Sequence, residues 1–145
     1  MHYKMRDQIR FKIGKEEKNI QEKWIEIPEG TEHIQMMIEM PEEFQYMAFL
    51  FLEDPKKEIR FQKLLGYGQQ NPGIGKSTKD TTIGGVPGEI YPGTWKIGIG
   101  IFTEYVAQKL GEQTGEIVLA VSERQDVVSD PIGGEGWGEN GLSAS

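Results

Sequence analysis

The chain has 145 residues and no cysteine, which excludes disulfide staples, thiolate metal sites and thiol catalysis. Sixteen lysines and arginines against 23 aspartates and glutamates leave a net charge of −7, which disfavours nonspecific binding to nucleic acid. With 37% hydrophobic and 27% charged residues, the length suits one folded domain with its own core.

The N-terminus MHYKMRDQIR is charged throughout and lacks the apolar run of a signal peptide. Period two begins at Gln8–Ile13, with Ile9, Phe11 and Ile13 on one face and Arg10 and Lys12 on the other. Trp24–Ile27 starts a second strand that Pro28, Glu29 and Gly30 end as a turn. Ile34–Met40 is the third strand, opened by His33 at an exposed end and closed by Pro41. Tyr46–Glu53, YMAFLFLE, is mostly apolar and reads as a central strand paired on both sides. It is too short to cross a membrane, which takes about 20 residues. DPKKE at 54–58 is a turn, in which Asp54 bonds forward to backbone N–H groups and Pro55 presets φ. Ile59, Phe61, Leu64 and Leu65 outline another strand.

Residues 66–94 hold too much glycine and proline for a helix and form a long loop, with a short edge strand expected at Thr81–Ile83. The clearest strand follows: Trp95, Ile97, Ile99 and Ile101 share one face, with Lys96, Gly98 and Gly100 opposite. Its two glycines imply a bend or a close neighbour. Glu104–Lys109 fits one helical turn, and Glu116–Ser122 is the last strand. From Arg124 the glycine-rich tail reads as a linker or disordered terminus, with Trp137 unplaced. The sum is an all-β fold, an antiparallel jelly-roll-like β-sandwich of about seven or eight strands over residues 1–123, followed by a tail over 124–145. Trp24, Met36 or Met37, Phe49, Phe51, Trp95, Ile97, Ile99 and Val118 are the expected core.

Motifs for chemistry are weak. GIGKST at 73–78 lacks the first glycine of a phosphate loop, because that position is Gln70, and no helix follows it. It reads as a polar surface loop. Adjacent carboxylates such as Glu42 and Glu43 diverge and read as a solvated face. Asp54 reads as a turn cap. The two histidines, His2 and His33, have neither an H-x-x-x-H partner nor a cysteine and form no metal site. No serine lies in G-x-S-x-G. No catalytic, cofactor-binding or metal residue is therefore assigned. Tyr67, Asn71, Lys76 and Tyr91, in the long loop, are the candidate contacts for a ligand or partner.

WIEIPEGTEHIQMMIEM at 24–40, LFLEDPKKEIRF at 50–61 and IGGVPGEIYPGTWKIGIGIF at 83–102 occur in this order. Together they resemble the N-terminal β-sandwich of the CehA/McbA-like metallohydrolases of the polymerase and histidinol phosphatase (PHP) superfamily, over roughly residues 5–123. The positions that carry the resemblance are Pro28, Glu29 and Gly30, then Asp54 and Pro55, then Pro87, Gly88, Pro92, Gly93 and Trp95. Arg60 is kept, but Phe61 stands where that family has glycine. The family's catalytic domain begins with an H-x-H pair, which this chain lacks, so no metal ligand or catalytic residue transfers. The resemblance implies a non-catalytic accessory domain of a PHP-type metal-dependent phosphoesterase that mediates domain or subunit packing. Its partner would be a PHP-type catalytic domain, or itself as a homo-oligomer. The alternative is a free-standing module that binds a glycan or protein through the 66–94 loop; a small hydrolase built on scattered carboxylates is the third reading. The expected setting is cytoplasmic, with no cofactor, nucleic acid or membrane partner.

Overall fold

A computed structural model describes residues 3–125. Nine strands form: β1 (Tyr3–Ile13), β2 (Ile20–Ile27), β3 (Thr31–Met40), β4 (Ala48–Glu53), β5 (Ile59–Leu64), β6 (Gly68–Gln70), β7 (Gly73–Gly75), β8 (Gly93–Ile101) and β9 (Gly115–Gln125). One helix, α1 (Thr103–Leu110), links β8 to β9. One sheet has the order β1-β9-β3-β6, with β7 also paired to β3; the second has the order β2-β8-β4-β5. All pairs are antiparallel. The chain crosses between the two sheets as a jelly roll does, so sequential strands mostly lie in opposite layers. The sequence-based fold class is therefore observed, with β6 and β7 as two short additions inside the long segment 66–94.

Alternation explains the core. Ile9, Phe11 and Ile13 of β1, Ile34, Met36, Ile38 and Met40 of β3, and Ile117, Leu119 and Val121 of β9 are buried on the inner side of the first sheet. Facing them are Ile25 and Ile27 of β2, Ala48, Leu50 and Leu52 of β4, and Trp95, Ile97, Ile99 and Ile101 of β8. Two half-apolar layers thus bury one face each and leave the other outside. Trp95 is 0% exposed, and its Nε1–H donates to the Tyr91 carbonyl at 2.7 Å.

Four expected core residues lie on the wrong face. Trp24 is 58% exposed and Phe49 is 40% exposed, while Phe51 is half-buried on the outer side. Val118 is likewise half-buried, and Met37 is exposed where Met36 is inside. The cause is parity: in a run apolar on both faces, one step of register exchanges every side chain between core and exterior. Leu50 and Leu52 took the core positions. β4 is nonetheless central, between β8 and β5. No strand forms at Thr81–Ile83; only Gly85 bridges, to Phe61. The helix is longer than one turn, and Asn19 explains its start: Oδ1 accepts from both the N–H and the Oγ1–H of Thr103 at 3.0 Å. Arg124 and Gln125 belong to β9. His2, Trp137 and the rest of the tail lie outside the described residues.

Candidate interaction surface

The outer face of the β2-β8-β4-β5 sheet is read in rows. The first row runs Ile20, Gly100, Phe49, Leu64 across the four strands. The second runs Glu22, Gly98, Phe51, Gln62. The third sets Trp24 beside Lys96 and Glu53. Gly98 places no side chain on this face, and Phe51 lies across it; a Cβ there would fall 2.0 Å from the Phe51 ring. Gly98 of WKIGIGIF thus leaves a gap that receives the Phe51 side chain of β4. Ile20, Phe49 and Leu64 are exposed, as is Phe102 just past the end of β8. This is a cross-strand apolar row open to solvent, the kind of surface that marks an interaction site.

The other end of the same face is charged. Lys96 Nζ lies 3.0 Å from Glu53 and 3.2 Å from Glu22. Hydrogen bonds to Glu53 and then Glu22 raise the Lys96 pKa above its ordinary value, so Lys96 stays protonated. A cleft of about 440 Å³ opens here, lined by Trp24, Glu53, Pro55, Thr94 and Lys96 among others. An exposed indole next to fixed charges is a typical interface anchor.

The candidate loop contacts are dispersed. Tyr67 is exposed, beyond the Leu65 N–H to Ala48 carbonyl bond at one end of the β4–β5 hairpin. Tyr91 is half-buried at the other end, with Lys56 Nζ 4.2 Å from its ring centre. The Asn71 carbonyl accepts from Gln35 Nε2 at 2.8 Å. Lys76 sits 4.0 Å from Glu89. The two tyrosines thus sit at opposite ends of that hairpin.

Asp54 is a cap, as its sequence context implies. Its Oδ1 accepts from the Lys56 and Glu58 N–H groups at 2.8 and 3.0 Å, and Oδ2 lies 3.3 Å from Arg60 Nη1. Arg60 also donates to the carbonyls of Val86 and Glu89 at 3.0 and 2.8 Å. One buried ion pair therefore ties the hairpin turn to the end of the long loop, and neither group faces solvent.

His33 differs from the sequence-based expectation. It is 6% exposed, on the outer side of β3 under Asp80. Its Nε2–H donates to the Asp80 carbonyl at 2.8 Å, and Nδ1 accepts from the Tyr3 hydroxyl at 3.0 Å. The neutral imidazole with its proton on Nε2 fits both contacts. Gly73 and Gly75 make the room: a Cβ on Gly73 would fall 2.4 Å from His33 Cε1. GIGKST is thus half strand, since Gly73–Gly75 is the buried β7. The helical turn after it spans only Thr78–Asp80, too short to present a phosphate site. Glycines at alternate positions were the one sequence signal of this packing.

Burial, foremost, holds the His33 pKa below the usual imidazole value of 6.5, and Arg124 nearby adds to the effect. In the unfolded chain His33 regains the ordinary value, so below about pH 6.5 the unfolded state binds more protons. Stability is full above that pH and declines as pH falls below it. The unfolding midpoint temperature is expected to drop between pH 7 and 5, and His33→Gln to flatten that drop relative to the wild-type chain. Parallel curves for the two would contradict a buried neutral imidazole.

No protein-family model matches this chain, and no curated protein matches it. The geometry therefore carries the functional reading, together with the sequence resemblance. The apolar row went unrecognised in the sequence because Phe49 within it, like Phe51 beside it, read as core.

Proposed function

We propose that this chain is a non-catalytic packing module, the accessory sandwich of a PHP-type metal-dependent phosphoesterase, docking a partner domain on the outer face of the β2-β8-β4-β5 sheet. The observation that carries the reading is the solvent-open row Ile20, Phe49, Leu64, with Phe51 seated over Gly98 beside it. A domain edge that exposes such a row gains by covering it, at roughly 25 cal/mol per Å² of apolar surface removed from water. The jelly-roll architecture agrees with the sandwich that the sequence resemblance implies. Asp54 is engaged by the turn N–H groups and Arg60, so its carboxylate is taken up by structure. The loop-based glycan or protein module gains less support, because Tyr67, Asn71, Lys76 and Tyr91 are spread along the molecule.

The test is calorimetric titration of this chain with a PHP-type catalytic domain encoded beside it. Binding is expected, weakened at least about tenfold, or 1.4 kcal/mol, by Phe49→Lys with Leu64→Lys. Both positions are exposed, so the variant keeps its unfolding midpoint. Equal binding of the variant would contradict the docking face. Manganese- or zinc-dependent phosphoesterase turnover by this chain alone would contradict the non-catalytic role.

A further inference from the structure

The two lateral sides of the sandwich are unlike. On one side, β5 is closed off by the segment 84–86: Gln62 N–H donates to the Gly84 carbonyl and Val86 N–H to the Arg60 carbonyl, at 3.2 and 2.8 Å. Its neighbours in the other sheet, β6 and β7, are three residues each. The opposite side carries two long edges, β1 of eleven residues and β2 of eight. Each is paired on one flank only. A groove of about 590 Å³ lies between them, lined by Asp7, Gln8, Arg10, Glu22, Lys23 and Trp24 among others. Unpaired edges offer rows of free N–H and C=O groups to another strand.

We propose that this side pairs with a second copy of the chain, β1 of each copy joining β2 of the other. The two strands run in opposite senses on either side of the connection 14–19, and Gln21 Nε2 donates to the Lys12 carbonyl at 2.7 Å across it. A two-fold axis parallel to the strands therefore brings β1 antiparallel to the partner's β2 and keeps outer faces aligned. Both edges are satisfied at once, as an isologous interface requires.

Charge selects this pairing. The outward residues of β1 are Gln8, Arg10 and Lys12, opposite Ala120, Val118 and Glu116 of β9. Those of β2 are Glu22, Trp24 and Glu26. The register that sets Lys12 against Glu22 also sets Arg10 against Trp24 and Gln8 against Glu26. Opposite charges and an arginine over an indole both favour it. The competing self-pairings are penalised. β2 on β2 centred on Trp24 sets Glu22 against Glu26, and centred on Lys23 sets that lysine against itself. β1 on β1 brings Arg10 and Lys12 to a second basic strand. Like charges directly opposite destabilise such pairs. In the single chain Arg10 is held by Glu116 at 3.1 Å, but both side chains are open to solvent, so the exchange of partners is cheap. Trp24 belongs to both surfaces, but the pairing rests on the edge charges of β1 and β2 and the docking on Phe49 and Leu64, so each is tested by its own variants.

Sedimentation velocity with the full chain tests it. The wild type is expected to run at twice the mass of one chain. Glu22→Lys with Glu26→Lys, and separately Arg10→Glu with Lys12→Glu, are each expected to weaken dimerisation at least about tenfold. An equimolar mixture of the two variants restores the dimer, because both edges are then matched again. Unchanged circular dichroism of each variant keeps misfolding out of the comparison. A wild type that stays monomeric at about 100 μM, where a micromolar dimer is populated, overturns the proposal. So do variants that dimerise as the wild type does, or a mixture that stays monomeric.

Discussion

Asp54→Ala is expected to cost about 3–5 kcal/mol of unfolding free energy, because it leaves a buried guanidinium without its counter-charge. Asp54 is 2% exposed and Arg60 is 3% exposed, so water cannot take over. The carboxylate has two separable duties, since Oδ1 holds the turn N–H groups of Lys56 and Glu58 while Oδ2 meets Arg60. Asp54→Asn keeps an oxygen for the turn and removes only the charge, so its loss should be smaller than that of alanine. Arg60→Met removes the other partner and frees the carbonyls of Val86 and Glu89. The double variant Asp54→Ala with Arg60→Met should lose clearly less than the sum of the two singles, as coupled neighbours do. Urea unfolding at neutral pH reads all four. Strict additivity would mean that the two groups stabilise the turn and the loop independently.

The second large effect contrasts two tryptophans. Trp95→Ala empties the centre of the sandwich and is expected to cost about 3–5 kcal/mol. It also removes the indole N–H bond to Tyr91 and the ring over which Arg60 lies at 5.4 Å. Trp24→Ala, on the outer face, should change stability by only about 0.5 kcal/mol or less. A single pair of denaturation curves checks both. Comparable losses at the two positions would mean that the second sheet is turned over.

That contrast shows where sequence and structure part. WKIGIGIF is legible because the apolar side chains within its strand, Trp95, Ile97, Ile99 and Ile101, occupy only one parity, so the inward face is unambiguous. The Asp54–Pro55 turn is legible because Asx capping is local. YMAFLFL is not, since Phe49 and Phe51 are as apolar as Leu50 and Leu52. The choice is made across strands, by the empty space over Gly98 that suits a phenyl ring and by the fit of leucines among the isoleucines of β8. β6 and β7 escaped notice for the same reason: their pairing partners in β3 lie 28 to 42 residues away in sequence. His33 gave no periodic signal and is explained by glycines forty residues downstream. The exposed apolar face was hidden in the sequence because its residues carry the same hydrophobicity as a core, and only exposure separates the two.

Hydroxyl-radical footprinting, with the chain alone and then with the proposed partner, a PHP-type catalytic domain, added, is the most direct check on the proposed docking face. Phe49, Phe51 and Leu64 are expected to be labelled in the free chain and shielded in the complex, while Trp95 stays unlabelled throughout. Shielding that falls instead on Tyr67 and Tyr91, with the β2-β8-β4-β5 face still reactive, would contradict the account.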